Sequence, residues 1–228
     1  MTRDARSELR ADLVSSVPRW YSPLGHVLVP AVGGLAFIVF ALTRIHGLRA
    51  WELACVPVFF VISNAIEWHT HRDLLHRRTW PLQLLYERHT PQHHAIFVSE
   101  DMFIRDWREL KFVLLPAWGV LTVPIVASPP AIVFWLAGAP NVGALWIATT
   151  VAYVLLYEWF HLAYHLPAEG RIGRLRVTGW LRRHHQRHHA PYLMQRWNFN
   201  VTLPLWDHVR GTVWRPGAAS TEAVPRRA

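Results

Sequence analysis

Apolar residues in this chain fall in long blocks, and the polar stretches between them are rich in histidine and arginine. The blocks 26–43 (HVLVPAVGGLAFIVFALT) and 50–68 (AWELACVPVFFVISNAIEW) approach the roughly 20 residues an α-helix needs to cross a bilayer core. The short linker RIHGLR predicts that they form an antiparallel hairpin. Residues 69–111 are polar and predict short helices outside the hydrocarbon. Two further apolar blocks, 112–127 and 142–165, flank SPPAIVFWLAGAPNV, whose prolines are expected to break or kink the helix. A second hairpin is favoured there, with one span plus a partly re-entrant segment as the alternative. After Pro167 the chain turns basic again. The expected fold is therefore an all-α integral membrane protein of about four transmembrane helices in two hairpins, with a helical cap.

Four spans put the N-terminus, residues 69–111 and the C-terminal third on one side of the bilayer. These segments hold nearly all the Lys and Arg, so the positive-inside rule predicts a cytoplasmic cap. Arg44 and Arg49, in the opposite loop, are the contrary charges. A hydrophobic content of 52% against 17% charged, with 13 Trp in 228 residues, agrees with a membrane protein. The formal charge of +9 flanks apolar blocks, so anionic lipid accounts for it and no nucleic-acid partner is expected. Cys55 is the single cysteine, which excludes an internal disulfide and a self-contained iron–sulfur cluster. The opening MTRDARSELRADLVSSV lacks the apolar core of a cleavable signal peptide. Its Leu9, Leu13 and Val17 recur every four residues, which fits a helix on the membrane surface or an ordinary soluble helix equally well. The chain divides on this reading into an interfacial segment 1–25, a membrane domain 26–215 and a flexible tail 216–228. Trp68, Trp80, Trp107, Trp159 and Trp206 are expected in an interfacial belt.

Twelve of the fifteen histidines lie in four clusters: HTHRDLLH, HTPQHH, FHLAYH and HHQRHH. Neutral imidazole is the commonest protein ligand for metals, and this number exceeds what one ion requires. His161 and His165, four apart, sit about 40° apart around a helix and face one cavity. In the run His185, His188, His189 the first two are expected to share a face, with His189 turned about 100° towards a second ion. The same logic applies to His89, His93 and His94. His71 and His76, five apart, fall off a common α-helical face and are expected to serve different ions. About five nitrogens per ion is too many for a tetrahedral structural zinc and suits a redox metal with open positions. His26, His46 and His208 stand alone and are read as ordinary side chains. Glu67 and Glu158, just ahead of two clusters, are expected either to accept the outer N–H of a ligand imidazole or to sit in interfacial water.

The segments EWHTHRDLLH, ERHTPQHH, YEWFHLAYH and RRHHQRHH, followed by NFNVTLPLWDHVRGT, resemble the fatty acid hydroxylase and sterol desaturase superfamily of membrane non-haem di-iron enzymes. The resemblance covers about residues 60–213, with the four clusters in the family's order. It implies metal ligation by His71, His76, His89, His93, His94, His161, His165, His185, His188 and His189. His69 and His184 are additional, and with Glu67, Glu158, Asn198 and Asp207 they are candidates for a supporting shell around the ligands. The implied cofactors are two iron ions, with zinc as a substitute in purified protein, and O2 as co-substrate. The implied reaction is oxygen-dependent attack on an unactivated C–H of a lipid from the bilayer, ending in hydroxylation or desaturation. Electrons are expected from a separate ferredoxin or b-type cytochrome docking on the basic face that carries Arg72, Arg77, Arg182, Arg183 and Arg187.

Within the enzyme class, a sterol or fatty acyl desaturase and a carotenoid ring hydroxylase share these motifs. From another class, a divalent metal transporter would place its ligands near the bilayer midplane at helix breaks. Here the clusters lie at helix ends and outside the spans, which argues against transport. A zinc staple that merely holds the cap is the structural alternative.

Overall fold

The computed structural model describes residues 1–217. Most of the tail expected over 216–228 therefore lies outside the described residues. The elements in order are α1 (Arg3–Ser15), α2 (Pro23–Thr43), α3 (Ala50–Leu53) and α4 (Cys55–Thr70), which runs on into a π-helical turn, His71–Leu75. After α5 (Gln83–Arg88) a second π-helical turn, His89–His93, leads to α6 (His94–Ile96). Next come a 3₁₀ turn (Trp107–Glu109), α7 (Leu110–Val113), α8 (Ala117–Val126) and α9 (Ser128–Leu136). The last three helices are α10 (Pro140–His165), α11 (Arg176–His188) and α12 (Leu205–Arg210). Among the described residues, paired extended backbone is limited to one isolated bridge between Val98 and Asp101. The fold is all-helical.

Among the described residues, four segments are long and apolar enough to cross a bilayer: Pro23–Thr43, Ala50–Leu75, Trp107–Leu136 and Pro140–His165. Outward-facing Leu28, Val32, Leu35 and Val39 on α2, with Val58, Ile62 and Ile66 on α4, leave an apolar surface suited to lipid. The third span is segmented where the prolines fall. Pro129 and Pro130 occupy the first turn of α9, where a missing N–H costs no helical hydrogen bond. The prolines thus mark the division of the span into α8 and α9. Gly138, at φ +75°, turns the chain into α10, completing the second hairpin. At Gly143 a Cβ would stand 2.8 Å from the Ala131 carbonyl oxygen, so a side chain would push α9 and α10 apart.

Helix α10 is the hub, packing against α2, α4, α8, α9 and α11. Its N-terminal half contributes Val142, Leu145 and Trp146 to a core with Phe59, and Trp146 Nε1 donates to the Ala127 carbonyl at 2.8 Å. The remaining elements cap one end of the bundle. Helix α1 turns Leu9 and Leu13 onto a core of Val17, Ile96, Phe97, Leu110 and Phe112, so this apolar stripe is covered by protein. Gln186 of α11 donates to the Ser99 carbonyl at 2.5 Å. The N-terminus, residues 69–111 and the C-terminal third thus meet at one end of the spans.

Candidate metal centre

The cap end of the bundle gathers ten buried histidines in two groups of five. The first holds His71, His76, His89, His94 and His188; the second holds His93, His161, His165, His185 and His189. Within each group one ring nitrogen per residue lies within 4.8 Å of all the others. The ten are those the family resemblance implied as ligands.

Their division corrects the expectation from helical spacing. His71 and His76 belong to one group because the turn between them is π-helical. The His76 N–H bonds the His71 carbonyl at 3.2 Å, five residues back, which puts positions five apart on one face. On an α-helix they would diverge by about 140°. The second π turn does the same for His89 and His94, whose backbone N–H bonds the His89 carbonyl. Helix α11 departs from expectation too. His185 pairs with His189, four apart, whereas His188 crosses to the first group. His93 is its counterpart, leaving the second π turn for the second group. Each group is thus two pairs from two segments plus one crossing residue.

The tautomers follow from the surroundings. Carbonyl oxygens only accept hydrogen bonds, so a ring nitrogen facing one carries the proton. Nδ1 of His71 faces Phe199 O, and Nδ1 of His188 faces Trp197 O at 2.9 Å. In the second group Nδ1 of His93, His165 and His189 face the carbonyls of Phe112 (3.0 Å), Met102 (2.6 Å) and Phe97 (2.7 Å). His76 Nδ1 meets Thr90 Oγ1 at 3.3 Å, whose own proton goes to Leu75 O. Each of these six rings therefore presents a lone pair at Nε2. Nε2 of His93 and His189 then stand 3.2 Å apart with no proton between them. Nε2 of His76 and His188 stand 2.9 Å apart in the same condition. Two facing lone pairs repel unless a cation lies between. His165 Nε2, buried and without a hydrogen-bond partner, carries the same implication.

Protonation does not supply that cation. Burial first, then repulsion from neighbouring rings, holds His89, His93, His94, His185 and His189 well below the ordinary histidine range. His188 is pushed down to about 4, mainly by burial. Neutral, lone-pair-bearing imidazoles in two compact sets fit metal cations, and five nitrogens per set exceed the four ligands of structural zinc.

The acids expected beside the ligands do other work. Glu67 accepts from Tyr153 and Thr202 hydroxyls and from the backbone N–H groups of Val201 and Thr202. Glu158 accepts from the Leu115 N–H at 3.0 Å. Backbone carbonyls take the imidazole N–H groups instead, a role the sequence does not display. Asp207 supports the site one step out. It accepts from the N–H of Phe199 (3.0 Å) and Asn200 (2.8 Å), from Trp68 Nε1 (3.1 Å) and from Thr212 (2.6 Å), and it meets His184 Nε2 at 3.0 Å. Asn198, at φ +58°, donates to the His184 carbonyl and lies between the two residues whose carbonyls serve His188 and His71. His69 is exposed and meets Asp73 at 3.4 Å, away from both groups. Trp68, expected in the interfacial belt, is buried against Phe199. Arg182 is also buried, over the Phe103 ring, and is not part of the basic face.

A multi-pass helical bundle with ten buried histidines at one end defines the class: a membrane protein with two histidine groups, each able to hold a metal ion. The fatty acid hydroxylase family matches residues 56–212, more than half of the chain, and the chain belongs to that family. No curated protein and no solved structure matches it.

Proposed function

We propose that this protein is an oxygen-dependent lipid hydroxylase that holds two iron ions, one in each histidine group, on the cytoplasmic side of the membrane. The observation that carries the reading is the set of ten buried imidazoles in two compact groups, six of them with tautomers fixed so that Nε2 presents a lone pair. A redox-active pair bound there would supply O2 activation for attack on an unactivated C–H bond. The protein's own part is to hold the rings neutral and oriented, through carbonyls that accept their Nδ1 protons. Burial excludes water from the groups, and the apolar spans give a lipid chain access from the bilayer. Electrons come from a separate donor, a ferredoxin or b-type cytochrome, docking on cap arginines such as Arg77 and Arg183, both exposed. Desaturation is the second outcome, since the same cage serves either product.

Lipid profiling of cells with and without the gene, and with His188→Ala, tests the reading. A hydroxylated or desaturated lipid is expected only with the intact gene. Unchanged lipids, together with no O2 consumption by the reduced protein, would remove it.

A further inference from the structure

The two histidine groups draw their supporting carbonyls from different segments, and different side chains hold those segments. Trp197 and Phe199, which serve the first group, sit on the loop that Asp207 gathers. Phe97, Met102 and Phe112, which serve the second, bracket residues 97–112. That segment is held from outside by α1. Arg10 Nε and one terminal nitrogen bond both oxygens of Glu109, at 2.7 and 2.6 Å, and the same terminal nitrogen reaches the Phe103 carbonyl at 2.6 Å. The Arg10 guanidinium also lies 5.1 Å from the centre of the Phe97 ring. Glu109 in turn accepts the Arg105 N–H at 2.9 Å, and the neighbouring Ile104 N–H bonds the His165 carbonyl at 2.9 Å. Arg10 and Glu109 are both buried, so the pair is shielded from solvent and its fork geometry is fixed.

We propose that Arg10 is a positioning residue for the second histidine group alone. Through Glu109, Phe103 and Phe97 it sets the carbonyls that orient His93, His165 and His189. Helix α1 lies outside the family-matched residues 56–212, so this chain completes one metal site with an element of its own N-terminal segment. The proposal rests on the reading that each group holds one metal ion.

The test counts metal in full-length protein purified anaerobically in detergent and reloaded with ferrous iron. Loss of such supporting interactions lowers metal affinity about 10- to 100-fold. Arg10→Ala is therefore expected to fall from about two ions per chain to about one at limiting iron, with the first group still filled. Combining it with substitutions of the crossing ligands assigns the vacated site. Arg10→Ala with His188→Ala is expected to bind no iron, because both groups are then impaired. Arg10→Ala with His93→Ala is expected to retain one ion, because both changes fall on the same group. Asp207→Asn supplies the mirror image, weakening the first group. If Arg10→Ala does not fold, Arg10→Lys decides alone, since lysine keeps the charge but cannot form the fork. It is expected to weaken one ion about tenfold. Loss of both ions together, or of neither, overturns the proposal. Wild-type protein that binds no metal would instead remove the underlying metal reading, and the proposal with it.

Discussion

The two histidine groups are alike in size and burial but are built in different ways. The second takes its pairs, His161 with His165 and His185 with His189, from four-residue spacing on α10 and α11. The first takes His71 with His76 and His89 with His94 from five-residue spacing across two π turns. Regular α-helix brings a pair together as a by-product of folding. A π turn gives up regular hydrogen bonding to do so, and such turns recur at functional sites. The two pairs of the second group are thus carried by helices that pack for their own reasons. The first depends on local backbone shaped around its histidines. The crossing residues His188 and His93 tie the two together.

The largest expected effect comes from cutting those ties. His188→Ala removes an imidazole from the first group and His93→Ala one from the second, although each leaves its neighbours in sequence intact. Each is expected to lower product formation at least about 100-fold and to cost one ion, a different one in each variant. Product assay and metal content of the two variants check this. If both variants lose the same ion, the division into two groups is wrong.

A smaller effect should separate the two building methods. Deleting Asp73, a half-exposed residue inside the first π turn, shortens the spacing of His71 and His76 from five to four. The turn can then relax to α-helix, and the pair loses its registry with His89, His94 and His188. Affinity at the first group is expected to fall about 10- to 100-fold while the second group is unaffected. Iron titration of the deletion variant reads this directly. Equal loss at both groups would show that the π turn has no special tie to the first.

How much of this was legible in sequence follows the same line. The spans, the hairpins and the pair on α10 were readable because the α-helical period maps sequence onto space. The shared face of His71 and His76 was not, because a π turn is a change of hydrogen-bond partner that leaves no mark on side-chain chemistry. The carbonyls of Phe97, Met102, Phe112, Trp197 and Phe199 were invisible for a related reason: every residue has one. Glu67 and Glu158 attracted attention by standing next to ligands in the chain, yet their hydrogen bonds run to other partners. Arg10 and Glu109, 99 residues apart, have no sequence relation that would pair them.

Acid should act on both groups alike, since burial lowers the proton affinity of rings in each. In the metal-free chain these imidazoles stay neutral when folded but take a proton near pH 6.5 when unfolded. Stabilisation is therefore full above pH 6.5 and is lost as pH falls towards the folded values. His188, at about 4, contributes about 3 kcal/mol of this loss. The thermal midpoint of metal-free protein in detergent is expected to drop between pH 7 and pH 4. In iron-loaded protein both ions should leave over the same interval. A flat midpoint across this range would contradict the burial argument.

The smallest expected effect belongs to His69, two residues before a ligand and inside the same cluster. Its ring is exposed, and its contact with Asp73 at 3.4 Å is a surface pair of the kind worth little in water. His69→Ala should change iron content and product formation by less than about twofold. The result bears on the first group because Asp73 lies in the π turn that His69 adjoins. If His69→Ala weakened the first ion as strongly as deleting Asp73, the surface contact would be holding the turn open. The turn's shape would then come from the cluster's outer face, and the contrast between a second group paired on regular helices and a first paired across π turns would need to include the solvent side.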